Sequence, residues 1–217
     1  MKARPGKSST SALIICNGEQ PSTRLLVKLA RETDLVVAAD GGANVARAAG
    51  ITPDIIIGDL DSIRPATRKQ FSSSLVIHMT RQDNTDLEKA LDLLVARGVR
   101  DAVVVAATGN RLDFTLGNLS VIWSYAGRIR LVFRDDVFTA IPVGTRVRVH
   151  ARPGTTVSLI PFGECRGITL RGLRYPLTGA RMRVGEIGVS NVVERSPFTV
   201  RVQKGHMLLV LVRRSVA

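Results

Sequence analysis

Apolar residues along the first part of the chain alternate between two patterns. Short unbroken runs form one set. "SALIICNG" (11–18) closes on Asn-Gly and "DLVVAADGG" (34–42) runs into two glycines. "DIIIGD" (54–59), "SLVIHM" (74–79), "DAVVVAATG" (101–109) and "RIRLVF" (128–133) follow. Each reads as a buried strand. Segments of helical period lie between them. Leu25, Leu26, Leu29 and Ala30 share a face in "STRLLVKLARE" (22–32). Positions 87, 90, 91, 94 and 95 share one in "DLEKALDLLVARG" (86–98), with Gly98 at the C-cap. "ANVARAAG" (43–50), the polar "PATRKQFSS" (65–73) and a stretch from about 112 to 126 predict three more helices. Short buried strands separated by helices imply a parallel-sheet, three-layer α/β domain.

From about Ile141 the texture changes. "TRVRVHA", "TTVSLIP", "GITLRG", "ARMRVG", "FTVRVQ" and "HMLLVLVR" are short β-type runs punctuated by Gly and Pro. They predict a small antiparallel β-sandwich. The expected organisation is a flexible basic tail (1–10), an α/β domain (11–140) and a sandwich (141–217).

Charge sharpens that division. Residues 1–140 hold 18 Lys/Arg against 15 Asp/Glu, whereas residues 141–217 hold 13 against 3. Nearly all the excess positive charge therefore sits in the second part, as either a polyanion-facing surface or an Arg-rich solvated one. Few aromatics interleave those arginines, which argues against nucleic acid as the partner. No apolar run approaches the roughly 20 residues of a membrane span, and the five-residue run near the start is short for a signal peptide. Two cysteines without metal or redox spacing suggest a reduced, cytoplasmic setting.

Three of the predicted strands end in polar or glycine residues: Asp40-Gly41-Gly42, Gly58-Asp59-Leu60-Asp61 and Thr108-Gly109-Asn110. Ligands of open α/β sheets sit outside the carboxyl ends of strands, so these ends point at one crevice, and glycines there let backbone N–H groups approach a phosphate. If residues 59–61 stay extended, Asp59 and Asp61 lie on one side. Two carboxylates about 5 Å apart repel by roughly 3 kcal/mol at an effective dielectric of about 20. A divalent cation would offset that, and Mg²⁺ is typically held by one or two carboxylates together with substrate phosphates. Thr85 and Glu88 fit a capping box with Asp86 at the first helical position. The helix dipole alone accounts for an acid at that position; beside Asp59 and Asp61 it becomes a third carboxylate for metal or base work. Arg111 either clamps phosphate bidentately or pairs with Asp113.

Gly6-Lys7-Ser8 has no glycine five residues earlier and no G-x-G-x-x-G occurs, so neither a P-loop nor a dinucleotide fingerprint is present. His78, His150 and His206 lack ligand spacing.

"AADGGAN", "PDIIIGDLDSI", "RQDNTDLEKAL", "GNRLDFTLGNL", "GLRYPL" and "GVSN" stand in the order seen in thiamine pyrophosphokinases, and the chain resembles that family over most of residues 12–210. The resemblance implies Mg²⁺-dependent transfer of a diphosphoryl group from ATP to thiamine, releasing AMP. It implies an α/β nucleotide-binding catalytic domain followed by a thiamine-binding sandwich, in a homodimer with sites at the subunit interface. By the same resemblance Asp59, Asp61 and Asp86 hold Mg²⁺ and the reacting phosphates, with Gln82 and Thr85 around the diphosphate. Arg111 and Asp113 serve the nucleotide, and Asp40, Gly41, Gly42, Asn44 and Gly109 line its crevice. Tyr175 matches the aromatic that stacks on thiamine, acting on the partner subunit's acids, and Ser190 and Asn191 lie near it. One of the acids would accept the thiamine hydroxyl proton. Asn110 and Phe114 depart from the family's usual glycine and histidine, and the basic second domain is unexplained by it. The alternatives are a related enzyme acting on another hydroxymethyl heterocycle, such as a pterin, and a nucleic-acid-binding module.

Overall fold

The computed structural model describes residues 11–80, 83–109, 111–186 and 188–213. The expected tail (1–10), Gln82 and Asn110 lie outside the described residues. The chain divides into two compact units at Asp135/Asp136. The expected boundary at 140/141 would have cut a strand, Phe138–Val143, that pairs along its whole length within the second unit. Pro142 and Gly144 look like linker residues in the sequence, yet that strand passes through Pro142 without a break. Among the described residues no helix is long and apolar enough to cross a membrane.

In the first unit the elements run β1 (Ser11–Ile15), α1 (Thr23–Glu32), β2 (Leu35–Ala39), α2 (Gly42–Ala48), β3 (Ile55–Gly58), α3 (Pro65–Gln70), β4 (Leu75–His78), α4 (Asp86–Ala96), β5 (Asp101–Val105), α5 (Leu112–Val121) and β6 (Arg130–Arg134). Ser22 caps α1, its Oγ accepting from the Leu25 N–H at 3.3 Å. The capping box of α4 is present: Glu88 N–H donates to Thr85 Oγ1 at 3.2 Å and Thr85 N–H to Glu88 Oε2 at 2.8 Å. The helix after β3 stops sooner than its sequence suggests, because Phe71 turns inward and is buried in the core.

All pairings in this sheet are parallel, in the order β4-β3-β2-β1-β5-β6. The chain winds outward from β1 to β4, then returns to place β5 on the other side of β1. The direction of winding reverses there, so the carboxyl ends of β1 and β5 flank the crevice where such sheets take ligands.

The second unit is antiparallel. It comprises β7 (Phe138–Val143), β8 (Arg146–Val149), β9 (Thr156–Arg171), β10 (Leu177–Met182), β11 (Asn191–Val192), β12 (Phe198–Arg201) and β13 (Lys204–Val212), ordered β7-β13-β9-β12-β8 with β10 and β11 also on β9. The runs "TTVSLIP" and "GITLRG", which read as separate strands, are the two ends of the 16-residue β9. Proline and glycines between them do not end it, because β13 pairs across them, Met207 against Pro161, His206 against Phe162 and Lys204 against Arg166, while each end of β9 is paired on both edges. Val157 has Leu211 on one side and Asn191 on the other; Leu170 has Val200 and Leu177. Phe198, Val200, Leu170, Met207 and Leu209 are among the buried side chains of its core.

Candidate active site

The carboxyl ends of β1 and β5 flank a cleft of about 260 Å³. Asn17 and Gly18 line it after β1, Asp86 at the start of α4, Gly109 after β5, and Arg111 and Phe114 around the start of α5. Asn118 is buried and donates to the Ala107 carbonyl at 2.8 Å, which ties α5 to the end of β5. Cys16 also lines the cleft, but burial, with help from the Asp86 charge, pushes its thiol up to about 12, so it is no thiolate nucleophile.

Three carboxylates meet beside this cleft. Asp40, Asp59 and Asp61 each bring an oxygen within 4.8 Å of the others. Asp40 enters because β2 and β3 pair in register, Ala39 against Ile57, and the Asp40 N–H continues the ladder to the Ile57 carbonyl at 2.8 Å. By resemblance Asp40 is expected only to line the crevice, with Asp86 as the third member. Asp86 adjoins the trio without belonging to it. The segment 59–61 is not extended as expected. Leu60 turns it with φ +67°, and Asp61 N–H reaches back toward Asp59 Oδ1 at 3.4 Å. A left-handed leucine and the left-handed Asp40 (φ +43°) are costly backbone conformations of the sort that collect at functional sites.

Asn44 holds this loop. Its Nδ2 donates to the Ser62 carbonyl at 2.8 Å and its Oδ1 accepts from the Arg64 N–H at 3.1 Å. Both ends of the amide are thus engaged on the acid loop, and Asn44 acts by fixing that loop. The glycines also differ from expectation. A Cβ on Gly42 would lie 1.9 Å from the Ile15 carbonyl oxygen, so this glycine lets α2 pack against the end of β1. A Cβ on Gly58 would lie 2.8 Å from Asp40 Cβ, so this glycine makes room for the acids.

Asp40 is buried, and its Oδ1 has no hydrogen-bond partner among the described residues. Burial raises its carboxyl above the ordinary range; Ser62 and the Gly41 backbone oppose that, and Asp86 and Asp59 add to it. An unpaired buried carboxylate oxygen facing two more acids is a donor set of hard oxygens, which suits Mg²⁺. A carboxyl with a raised folded pKa destabilises the fold at pH above that value, and the cost fades as pH falls through it. Asp40→Asn should therefore raise the melting temperature of the metal-free protein by about a few degrees near pH 8 and by less near pH 4, around the ordinary carboxylate value. Millimolar Mg²⁺ should raise the wild-type melting temperature and leave the variant's unchanged. Thermal unfolding at both pH values, with and without Mg²⁺, checks this.

Asp86 takes one oxygen to Lys89: Nζ donates to Oδ1 at 2.9 Å, and Lys89 is only 3 % exposed. Lys89 is marked in the sequence only by its place three positions after Asp86 on the same helix. Arg111 makes two hydrogen bonds to Asp113, Nε to Oδ1 and Nη2 to Oδ2, and its guanidinium stands 4.2 Å from the centre of the Phe114 ring. The pair holds Asp113 below the usual carboxylate range. Both partners are exposed. Arg111 is thus fixed in direction at the cleft wall, and the side chain that replaces the family's histidine is its platform.

In the second unit Asn191 is buried and wraps the backbone of Tyr175. Its Oδ1 accepts from the Tyr175 N–H at 3.0 Å and its Nδ2 donates to the Tyr175 carbonyl at 2.9 Å. The Tyr175 side chain itself is 62 % exposed. Ser190 precedes this clamp in a left-handed conformation (φ +63°), its N–H toward Ser158 Oγ at 3.3 Å. So Asn191 presents Tyr175, and Tyr175 is the side chain free to meet a ligand.

Two family models match the chain: thiamin pyrophosphokinase, catalytic domain, over residues 26–133, and thiamin pyrophosphokinase, vitamin B1 binding domain, over residues 145–207. The chain is 28% identical over 187 residues to the thiamine pyrophosphokinase of Bacillus subtilis, covering 82% of this chain and 87% of that one. It is 32% identical over 165 residues to thiamine pyrophosphokinase 1 of Oryza sativa, covering 69% of this chain and 62% of that one. The crystal structure of thiamin pyrophosphokinase from Geobacillus thermodenitrificans superposes with a TM-score of 0.82 at 25% identity, over 95% of this chain and 99% of that one.

Proposed function

The chain belongs to the thiamine pyrophosphokinase family, and we propose that the acids beside its α/β cleft hold magnesium against the diphosphate passing from ATP to thiamine. The enzyme is a diphosphotransferase with ATP and thiamine as substrates, giving thiamine diphosphate and AMP. The observation that carries the site assignment is the trio Asp40, Asp59 and Asp61 at the strand ends, with a buried Asp40 oxygen that has no hydrogen-bond partner among the described residues.

Magnesium bound there would neutralise charge on the transferring phosphates. Everything else is positioning. Arg111, fixed by Asp113 and Phe114, takes the nucleotide phosphates from the cleft wall. Gly18 and Gly109 let the loops after β1 and β5 pack on each other at the cleft: a Cβ on Gly18 would lie 2.5 Å from the Ala106 and Thr108 carbonyl oxygens, and one on Gly109 2.4 Å from the Glu19 side chain. Asp86 orients the thiamine hydroxyl: its Oδ1 is committed to Lys89, which leaves Oδ2 to take the hydroxyl proton as the oxygen attacks. The acids also suit the permanent positive charge of the thiazolium ring. Tyr175 supplies a π-face for that cation, as thiamine-binding side chains must. In this reading the enzyme works as a homodimer, with Tyr175 serving the acids of the partner subunit.

The test is thiamine-dependent release of AMP from ATP. It should require a divalent cation, stop on chelation and return on adding Mg²⁺. AMP release that ignores chelation would remove the metal from the site.

A further inference from the structure

We infer that Lys89 is a positioning residue for the transfer: its buried ammonium pins Asp86 so that a single carboxylate oxygen is offered to the thiamine hydroxyl. This rests on the reading that Asp86 belongs to the site. A lysine in a helix ordinarily lets its ammonium reach water. Lys89 does not, being 3 % exposed on a helix that packs against β2 and β3. A buried ammonium is costly unless well paired, and replacing a buried ion pair by apolar groups is often neutral or stabilising. Stability is therefore a poor reason to keep Lys89, whereas its place behind a site carboxylate is a good one.

The geometry around Asp86 is over-determined. The capping box fixes the first turn of α4, so Asp86 and Lys89 stand one turn apart on the same side. Asp86 Oδ1 lies between Lys89 Nζ, at 2.9 Å, and Gly58, where a Cβ would come within 3.2 Å of it. That oxygen is held between them. The carboxylate cannot swing without losing its cation, and Oδ2 remains for the cleft that Asp86 lines.

Lys89 has a second consequence. Asp40, Asp59 and Asp61 already concentrate negative charge, and Asp86 adds to it. The Lys89 ammonium offsets part of that charge. Removing Lys89 should then have opposite effects on the two functions of the site. Metal binding should tighten, because a positive charge has gone. Turnover should fall, because Asp86 is no longer aimed. A side chain that merely supports the fold would not give that combination.

The experiment is a double-mutant cycle of Lys89→Met and Asp86→Asn in the full chain, reading turnover and, separately, Mn²⁺ binding by electron paramagnetic resonance without nucleotide. Lys89→Met should lower kcat roughly ten- to a hundredfold, as loss of partners that orient active groups typically does, with KM for thiamine little changed. Its Mn²⁺ affinity should rise at least about threefold. The double variant should turn over no more slowly than Asp86→Asn alone, since Lys89 acts only through Asp86. The double variant carries no unpaired charge, so it gives an answer even if Lys89→Met folds poorly. A double variant clearly slower than Asp86→Asn, or Mn²⁺ affinity unchanged or weakened in Lys89→Met, overturns the inference. Wild-type turnover in Asp86→Asn would instead overturn the reading of Asp86 on which it stands.

Discussion

Replacing Asp61 by Asn should lower turnover by about a hundredfold or more while leaving the protein folded. Asp61 is exposed, and its side chain accepts from Ser62 Oγ of its own loop at 2.9 Å. No core contact depends on it. What the substitution removes is one of three charges converging within 4.8 Å, and with it the electrostatic grip on the cation and diphosphate. Asp59→Asn should behave alike, although Asp59 also accepts from the Asp61 N–H and so helps shape the turn at Leu60. Rates measured across Mg²⁺ concentrations, with circular dichroism to check the fold, decide the matter. Either variant matching wild type at limiting Mg²⁺ would remove that residue from the metal site.

Tyr175→Ala should weaken thiamine binding roughly tenfold and leave ATP binding nearly unchanged. A cation over an aromatic face is stabilised by about 0.5–2 kcal/mol, which brackets a tenfold change. The change should not damage the second unit, because Asn191 holds residue 175 by its backbone N–H and carbonyl, and these survive the substitution. Asn191→Ala should lose the same affinity by a different route, freeing the loop and also lowering the melting temperature. If Tyr175 serves the partner subunit's acids, mixing Tyr175→Ala with Asp59→Asn subunits regenerates one site with both wild-type residues. Activity should then recover at limiting thiamine. No recovery after verified subunit exchange would assign Tyr175 to its own subunit or to no site.

Much of the fold could be read from the sequence. Runs such as Ile55–Ile57 are too short for helices and are bounded by Asp and Gly, and the helices between them carry their own start signals, as Thr85 and Glu88 do. The order of the strands is a different matter. That β1 lies between β2 and β5 is a tertiary pairing with no local signature, yet it makes the ends of β1 and β5 flank one cleft. The acids were recognisable by type and spacing, but their grouping was not. Asp40 joins Asp59 through the register of β2 on β3, which no periodicity encodes. Leucine disfavours positive φ, so nothing in "GDLDS" announces the turn at Leu60 that brings Asp59 and Asp61 together. In the second unit the glycines suggest strand breaks, and only the pairing of β13 across them reveals β9 as continuous. Asn44 and Asn191 look like ligand contacts by position; their hydrogen bonds show that they hold the segments that carry Asp61 and Tyr175.

The central claim is transfer of an intact diphosphoryl group, and ATP labelled at its β-phosphorus tests it most directly. Incubated with thiamine, Mg²⁺ and the protein, the label should appear in thiamine diphosphate, with unlabelled AMP formed in equal amount and no ADP. Label retained in ADP beside thiamine monophosphate, or no thiamine product from folded protein, would contradict the account.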